Sequence, residues 1–274
     1  GIGKMEFDGL VAHNARNVLR EAASIKSQRN DEFWRAVQLG LPTPAPKSPF
    51  AYDKLLMMLT GAGVKVSKTG SRLALGPLTD ADVTAMSSGH LPEPSRLIRA
   101  KDLRPETGGL FDPALTGGMA GTKWSHVDLH EPLVNPVFEE PVRRLLGLTQ
   151  KTFTERVGQG GQWFKTALNG IDVDAKLEAL HAESRKARGP VLDGVVKQIK
   201  YLEALKAQKL TPANAYIMSK VPVTPPVIRP ILPLQDGRLQ VGDANLLYKD
   251  AFLANDQLRE GAKVLPSSEL PGPR

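Results

Sequence analysis

The chain has no cysteine in its 274 residues. That excludes disulfides, thiolate nucleophiles and cysteine-ligated zinc at once. Aromatic residues are few, at 5% of the total. No apolar run approaches the length that spans a bilayer, and no secretory signal is visible. Neither sign of charge is scarce. The 36 basic residues outnumber the 29 acidic ones, for a net charge of +7. That balance favours a polyanionic partner, though a merely basic globular protein would carry it equally well. The chain is long enough for one large domain or two small ones with a core. It opens on Gly1, which fits a cleaved tag, a processed precursor or a fragment.

The motifs of self-contained catalysis are missing too. His13, His90, His126, His130 and His181 show no His-Glu-x-x-His spacing. His126 and His130 are four apart but fall in a segment read as strand and loop, so a shared metal is not expected. Gly1-Ile2-Gly3-Lys4 lacks the glycine spacing and the Ser/Thr of a phosphate-binding loop. Asp172-Val173-Asp174 opens a periodic segment, where a carboxylate caps a helix and meets its dipole.

What is abundant is proline, and it is concentrated. Between Val221 and Pro233 stand Pro222, Pro225, Pro226, Pro230 and Pro233. Each fixes its own φ and turns the preceding residue from the α region, predicting a stiff extended loop with few internal hydrogen bonds. Asp236-Gly237 predicts a tight turn. Asp243 can cap a helix whose Leu247, Ala251, Ala254 and Leu258 fall at helical spacing.

Elsewhere the pattern predicts an α+β fold, mostly helical with short strands. Residues 1–40 read as helix, with Val11, Ala15, Val18, Ala22 and Ile25 on one face. Asn30 or Asp31 can start a second helix that Gly40 closes. Residues 50–60 form a short apolar helix. Val64/Val66 and Leu73/Leu75 alternate around Lys68-Thr69-Gly70, predicting a hairpin. Residues 76–96 are polar and punctuated, a natural joint. Segments 171–188 and 191–209 predict an αα-hairpin, with Leu177 and Leu180 facing Val195, Ile199 and Leu202 across Gly189-Pro190.

The stretch Val221–Glu260 resembles the lid and first clamp helix of the β′ subunit of multisubunit RNA polymerase. Pro225-Pro226, Arg229-Pro230, Leu234 to Arg238, Gly242-Asp243, Asn245, Leu247-Tyr248-Lys249 and Asn255 to Leu258 carry the likeness. A proline-rich linker before a surface helix is the plain alternative. Residues 88–136 resemble the beginning of β′, through Ser88-Gly89, Pro94, Ile98, Leu103, Pro105-Glu106, Gly109 to Phe111 and His126 to Leu129. The family's four-cysteine zinc ribbon is missing between Gly118 and Trp124. Residues 1–66 resemble the C-terminal end of β, through Gly3 to Glu6, Leu10, Ala15, Leu19 to Glu21, Ile25 to Ser27, Pro42 to Phe50 and Gly61 to Val66. Lys4 and the longer stretch from Arg29 to Gly40 depart from that pattern, and an ordinary small α+β unit is the alternative.

These resemblances imply three parts: residues 1–78 as a β C-terminal-like segment, 79–220 as a β′ clamp-like segment, and 221–274 as lid and first clamp helix. The implied function is a non-catalytic part of a DNA-directed RNA polymerase. The family's three-aspartate loop is not in this sequence, so no cofactor is expected in this chain and Mg²⁺ is expected at a partner chain's active centre. Implied partners are other polymerase chains, template DNA and RNA, and a sigma-like specificity factor, with no membrane. Pro225, Pro226, Arg229 and Arg238 are the implied nucleic-acid contacts of the lid, guanidinium being suited to phosphate; a structural role is the alternative for each arginine. Tyr248, Lys249, Asn255 and Gln257 are implied to meet the factor, with a solvated helix face as the alternative. Lys4, Lys26 and Arg29 could touch a nucleic-acid backbone or be ordinary surface charge. Leu265 to Arg274 resembles the tip of the clamp hairpin, whose returning helix would then come from elsewhere. The deletions imply a phage- or virus-type enzyme, in the host cytoplasm or the virion. The lid and helix, having little of their own to pack against, predict partial folding of the lone chain. A free-standing basic module that binds a transcription factor or nucleic acid is the other reading.

Overall fold

A computed structural model describes residues 2–26, 30–44, 48–70, 72–99, 102, 104–236 and 238–264. Expectations placed on Ser27, Arg29, Leu103, Gly237 and Leu265 to Arg274 lie outside them. The described residues divide into two compact units, the break falling between Met57 and Met58. The fold is α+β, mostly helical, with short strands in small sheets. No helix among the described residues is long and apolar enough to cross a membrane.

The first unit holds α1 (Lys4–Ala12), α2 (Arg16–Ser24), α3 (Asp31–Gln38) and the start of α4 (Phe50–Gly61). The single helical face expected through Ile25 is broken at Asn14, whose φ of 52° is left-handed and reverses the chain. Asn30 precedes α3, and its carboxamide donates back to the carbonyls of Ser24 and Ile25 at 3.1 and 3.0 Å. Gly40, at φ 64°, ends the helix as its sequence position suggests. Among the described residues of this unit only Ser24 and Ala36 are buried. Val11, Val18, Trp34 and Phe50 stay exposed.

The second unit begins with the hairpin β1 (Val64–Thr69) and β2 (Arg72–Pro77), antiparallel around Gly70, as the alternation predicts. The polar segment after it is not a loose joint. Thr79 and Asp82 form a reciprocal capping box on α5 (Asp80–Met86), and Leu78, Val83 and Leu91 are buried. Polar composition here serves capping rather than solvation.

Next come β3 (Ser87–His90), the two-residue strands β4 (Ile98–Arg99) and β5 (Arg104–Pro105), and the long β6 (Trp124–Val134). Helices α6 (Glu139–Leu146), α7 (Gln150–Val157), α8 (Gln162–Asn169), α9 (Val173–Ser184) and α10 (Gly189–Ala207) follow. The αα-hairpin of α9 and α10 is the predicted one. Asp172 caps α9 by accepting from the amides of Asp174 and Ala175 at 3.0 and 3.1 Å. Leu177, Leu180, Val195, Ile199 and Leu202 lie with Phe164 and Leu168 in one helical core.

A short α11 (Pro212–Tyr216) leads into β7 (Ile217–Val223). The central sheet has the order β3-β6-β7, with β3 parallel and β7 antiparallel to β6. β7 is an edge strand, and that is what admits Pro222, which has no amide to donate. The amides of Ser219 and Lys220 are met instead by the Asp80 carboxylate at 3.0–3.1 Å. The short hairpin β8 (Ile231–Pro233) and β9 (Leu239–Val241) precedes the final helix α12 (Asp243–Val264). A second apolar core gathers Leu91, Leu110, Phe111, Val127, Val223, Ile231 and Phe252 around this sheet.

Candidate functional site

The proline stretch is built on a buried cation. Residues 221–223 belong to β7, and Pro226–Ile228 forms a single 3-10 turn. So the expected extended loop is shorter and better bonded than its prolines suggest. After the turn, Arg229 points inward and is 2% exposed. Its Nε donates to Thr224 O at 2.7 Å, Nη2 to Leu110 O at 2.6 Å and Nη1 to Asn245 Oδ1 at 2.8 Å. Asn245, at the start of α12, returns the bond from Nδ2 to Arg229 O at 2.8 Å. The guanidinium carbon lies 4.8 Å from the Phe111 ring centre and 5.9 Å from that of Tyr248. Among the described residues it has no carboxylate partner. Burial pulls its pKa down to about 10, with Tyr248 opposing, so it remains charged at neutral pH.

The consequence for α12 is a fixed rotation. Asn245, Tyr248, Phe252, Asn255 and Arg259 recur at i, i+3, i+7, i+10 and i+14, one helical face, and this is the face turned to the sheet. Tyr248 stacks on Phe252 at 5.6 Å, donates from its hydroxyl to Pro222 O at 3.2 Å and accepts from Thr224 N at 3.3 Å. Asn255 accepts from His130 N at 2.8 Å and donates to Asp128 O at 3.3 Å. The apolar stripe expected to define the helix faces away from the core: Leu247 is 71% exposed, and Ala251 and Ala254 are exposed as well. The buried face was missed because two of its members are asparagines, which belong inside only when both ends of the amide find partners.

The expected contact residues therefore separate. Pro225, Pro226 and Arg229 are buried, and every nitrogen of the guanidinium is committed to a protein acceptor, so the expectation that Arg229 meets phosphate is corrected to a structural role. Arg238 is the exposed one, with 80% of its side chain accessible at the tip of the β8–β9 hairpin and Nε 2.6 Å from Asp236 Oδ2. That arginine's backbone and side-chain hydrogen bonds hold Asp236 below the usual carboxylate range. Tyr248 and Asn255 face the body of the chain, which corrects their expected role toward a factor. Lys249 is half-buried and Gln257 exposed. Leu232 and Leu234 on the hairpin, and Leu246, Leu247 and Leu253 on the helix, are exposed apolar side chains. The 221–241 stretch and α12 pack Val223, Ile231 and Phe252 into the second core, which corrects the expectation that they have little to pack against.

A second group of polar side chains arises from the sheet register. His126 and Asp128 share one face of β6, by the period of two. His90 of β3 pairs with His126, and Lys220 of β7 pairs with Asp128. His90 Nδ1 is 3.4 Å from Asp128 Oδ2, and His126 Nε2 is 3.8 Å from Oδ1. Lys220 Nζ is 2.5 Å from Oδ1. Burial, then Lys220 and His90, lower the His126 pKa against the opposing pull of Asp128. Burial opposes the charge on Asp128, but Lys220 and the two imidazoles outweigh it and lower its pKa. This cluster was not legible because 36 residues separate its histidines and no local spacing links them.

No protein-family model matches the chain. Curated proteins do. Part of the chain is 31% identical, over 121 residues, to the DNA-directed RNA polymerase subunit beta′ of Enterococcus faecalis, covering 41% of this chain and 10% of that subunit. The subunit from Geobacillus kaustophilus is 30% identical over 115 residues, 40% of this chain and 10% of its own length. That from Staphylococcus saprophyticus is 34% identical over 107 residues, with coverages of 39% and 9%. The chain thus spans about a tenth of the length of these curated relatives. Over some two fifths of its length, it is related in sequence to the beta′ subunit of DNA-directed RNA polymerase.

Proposed function

We propose that this chain is a non-catalytic part of a DNA-directed RNA polymerase, one that joins a β-type C-terminal end to a β′-type beginning. Residues 1–78, 79–220 and 221–274 then correspond to the β-type end, the clamp base, and the lid with the first clamp helix. The supporting observation is the lock at Arg229, together with the similarity to beta′ subunits. A hairpin that parts RNA from template has to hold its position against thermal motion. The buried guanidinium ties that hairpin's base to Leu110, Thr224 and the first turn of α12 at once.

In this reading Arg238, at the hairpin tip, is the phosphate contact, by charge and exposure. The open face of α12, with Leu246, Leu247, Leu253 and Gln257, and with Lys249 at its margin, meets a sigma-like specificity factor. Catalysis belongs to other polymerase chains, one of which carries the carboxylates that hold Mg²⁺. The missing zinc ribbon supports a phage- or virus-type enzyme acting in the host cytoplasm or packaged in the virion.

The test is a photo-crosslinking residue in place of Arg238, in the complex that purifies with the full chain and while it transcribes. The expected adduct is to RNA or template at the upstream edge of the hybrid. Adducts to protein alone would remove the lid assignment.

A further inference from the structure

The polar cluster on the central sheet has no part in the proposed lid or helix surface. We propose that His90, His126 and Asp128 form a site for one divalent transition-metal ion of the zinc type, clipping β3 to β6 beside the docked helix.

The hydrogen bonds around the cluster orient it. Ser87 Oγ donates to Gly89 O at 3.0 Å, so its proton is spent there. His126 Nδ1 lies 2.7 Å from the same oxygen, which accepts from it in this arrangement. With the His126 proton on Nδ1, donated to that oxygen, the Nε2 lone pair is turned to Asp128. His90 Nδ1 lies 3.4 Å from the Asp128 amide, a long contact that the ring gives up when its lone pair turns to an ion. Two imidazoles and a carboxylate converge, with one ligand atom from each lying within 4.8 Å of the others. A tetrahedral ion with bonds of ~2.1 Å sets its ligands about 3.4 Å apart. The two edges to Asp128, 3.4 and 3.8 Å, are close to that value, and the third, between the two rings, lies within 4.8 Å.

The surroundings resemble those of a ligand set. A hydroxyl holds the second nitrogen of His126 in place, the arrangement that fixes ring orientation at metal centres. His126 is nearly buried, whereas His90 and Asp128 are partly open, so an ion has a way in. Without cysteine, imidazole and carboxylate are the strongest ligands this chain has for such an ion. Lys220 is the built-in competitor, its ammonium already on Asp128 Oδ1. An ammonium is a donor only and offers an ion no lone pair. The Arg259 guanidinium approaches from α12, but bonds the Asp128 carbonyl at 3.4 Å rather than the carboxylate.

The experiment is a titration of the full chain with Co²⁺, read by visible absorption, followed by displacement with Zn²⁺. The expected result is one ion per chain. Affinity should fall at least ~10-fold in His90→Ala, His126→Gln and Asp128→Asn, and about 10-fold in Ser87→Ala. Lys220→Met should bind more tightly than the unaltered chain, a gain that a misfolded variant cannot mimic. Circular dichroism of each variant separates lost ligands from lost fold. An absence of Co²⁺ absorption in both the unaltered chain and Lys220→Met would overturn the proposal. So would binding that survives in His90→Ala or depends on His130 or His181 instead. The group would then be a proton-bearing His–Asp–Lys cluster.

Discussion

Replacing Arg229 by Met keeps the unbranched apolar stem and removes every donor. Thr224 O, Leu110 O and Asn245 Oδ1 then lose their partners in a site that is otherwise buried. Each orphaned acceptor costs about 1–3 kcal/mol, or roughly 3–9 kcal/mol if nothing relaxed. Two effects reduce this: the cation no longer has to be desolvated, and Asn245 can turn toward water. Removing one partner from a buried charged network typically costs about 3–5 kcal/mol, and we expect that range here. Arg229→Lys keeps the charge but not the fork, and should fall between the two. The assay is urea unfolding of the full chain, paired with hydrogen exchange across 221–260. The unaltered chain should protect this stretch, and Arg229→Met should lose that protection first at the hairpin and the start of α12. A cycle with Asn245→Ala should show coupling of at least ~1 kcal/mol. If Arg229→Met unfolds within about 0.5 kcal/mol of the unaltered chain, with protection intact, the lock does not organise residues 221–260.

Other expectations test the packing and its pH dependence. Phe252→Ala, inside the second core, should cost about 3–5 kcal/mol, whereas Leu247→Ala on the open face should stay within ~0.5 kcal/mol. The reverse order in thermal unfolding would mean that α12 is rotated. Asp112 is buried and accepts from the amides of Gly108, Ala114 and Leu115 at 2.6, 2.7 and 2.9 Å. Burial opposes its charge, but those three bonds prevail and hold it below the ordinary value of 3.8. A depressed carboxylate stabilises the fold above its unfolded pKa and loses that contribution as pH falls through its folded one. Asp112→Asn should therefore be less stable at pH 7 by about 1–3 kcal/mol and show a shallower loss below pH ~4. Identical pH slopes for the two proteins would contradict this.

Local pattern carried much of the fold. The β1–β2 hairpin and the α9–α10 pair were legible because their alternation and spacing match their burial. Asp172 was legible as a cap because capping is a short-range event. The long N-terminal helix was not, because one left-handed residue, Asn14, interrupts a periodicity that continues past it. The docking face of α12 was hidden because its anchors include Asn245 and Asn255, while its leucines face outward. The stretch from Val221 to Arg238 stood out by its prolines and arginines. Which arginine is structural depended on Leu110 and Phe111, more than a hundred residues away in sequence. The His90–His126–Asp128 group depended on strand register, which residue spacing does not encode.

The proposed function requires that this chain works inside a polymerase. Intact-mass spectrometry of what purifies with it from its native source tests that most directly. The account predicts large partner chains, one of them bearing the three-aspartate loop that holds Mg²⁺. Recovery of the chain alone would contradict it, and would leave a basic interaction module that borrows polymerase-like segments.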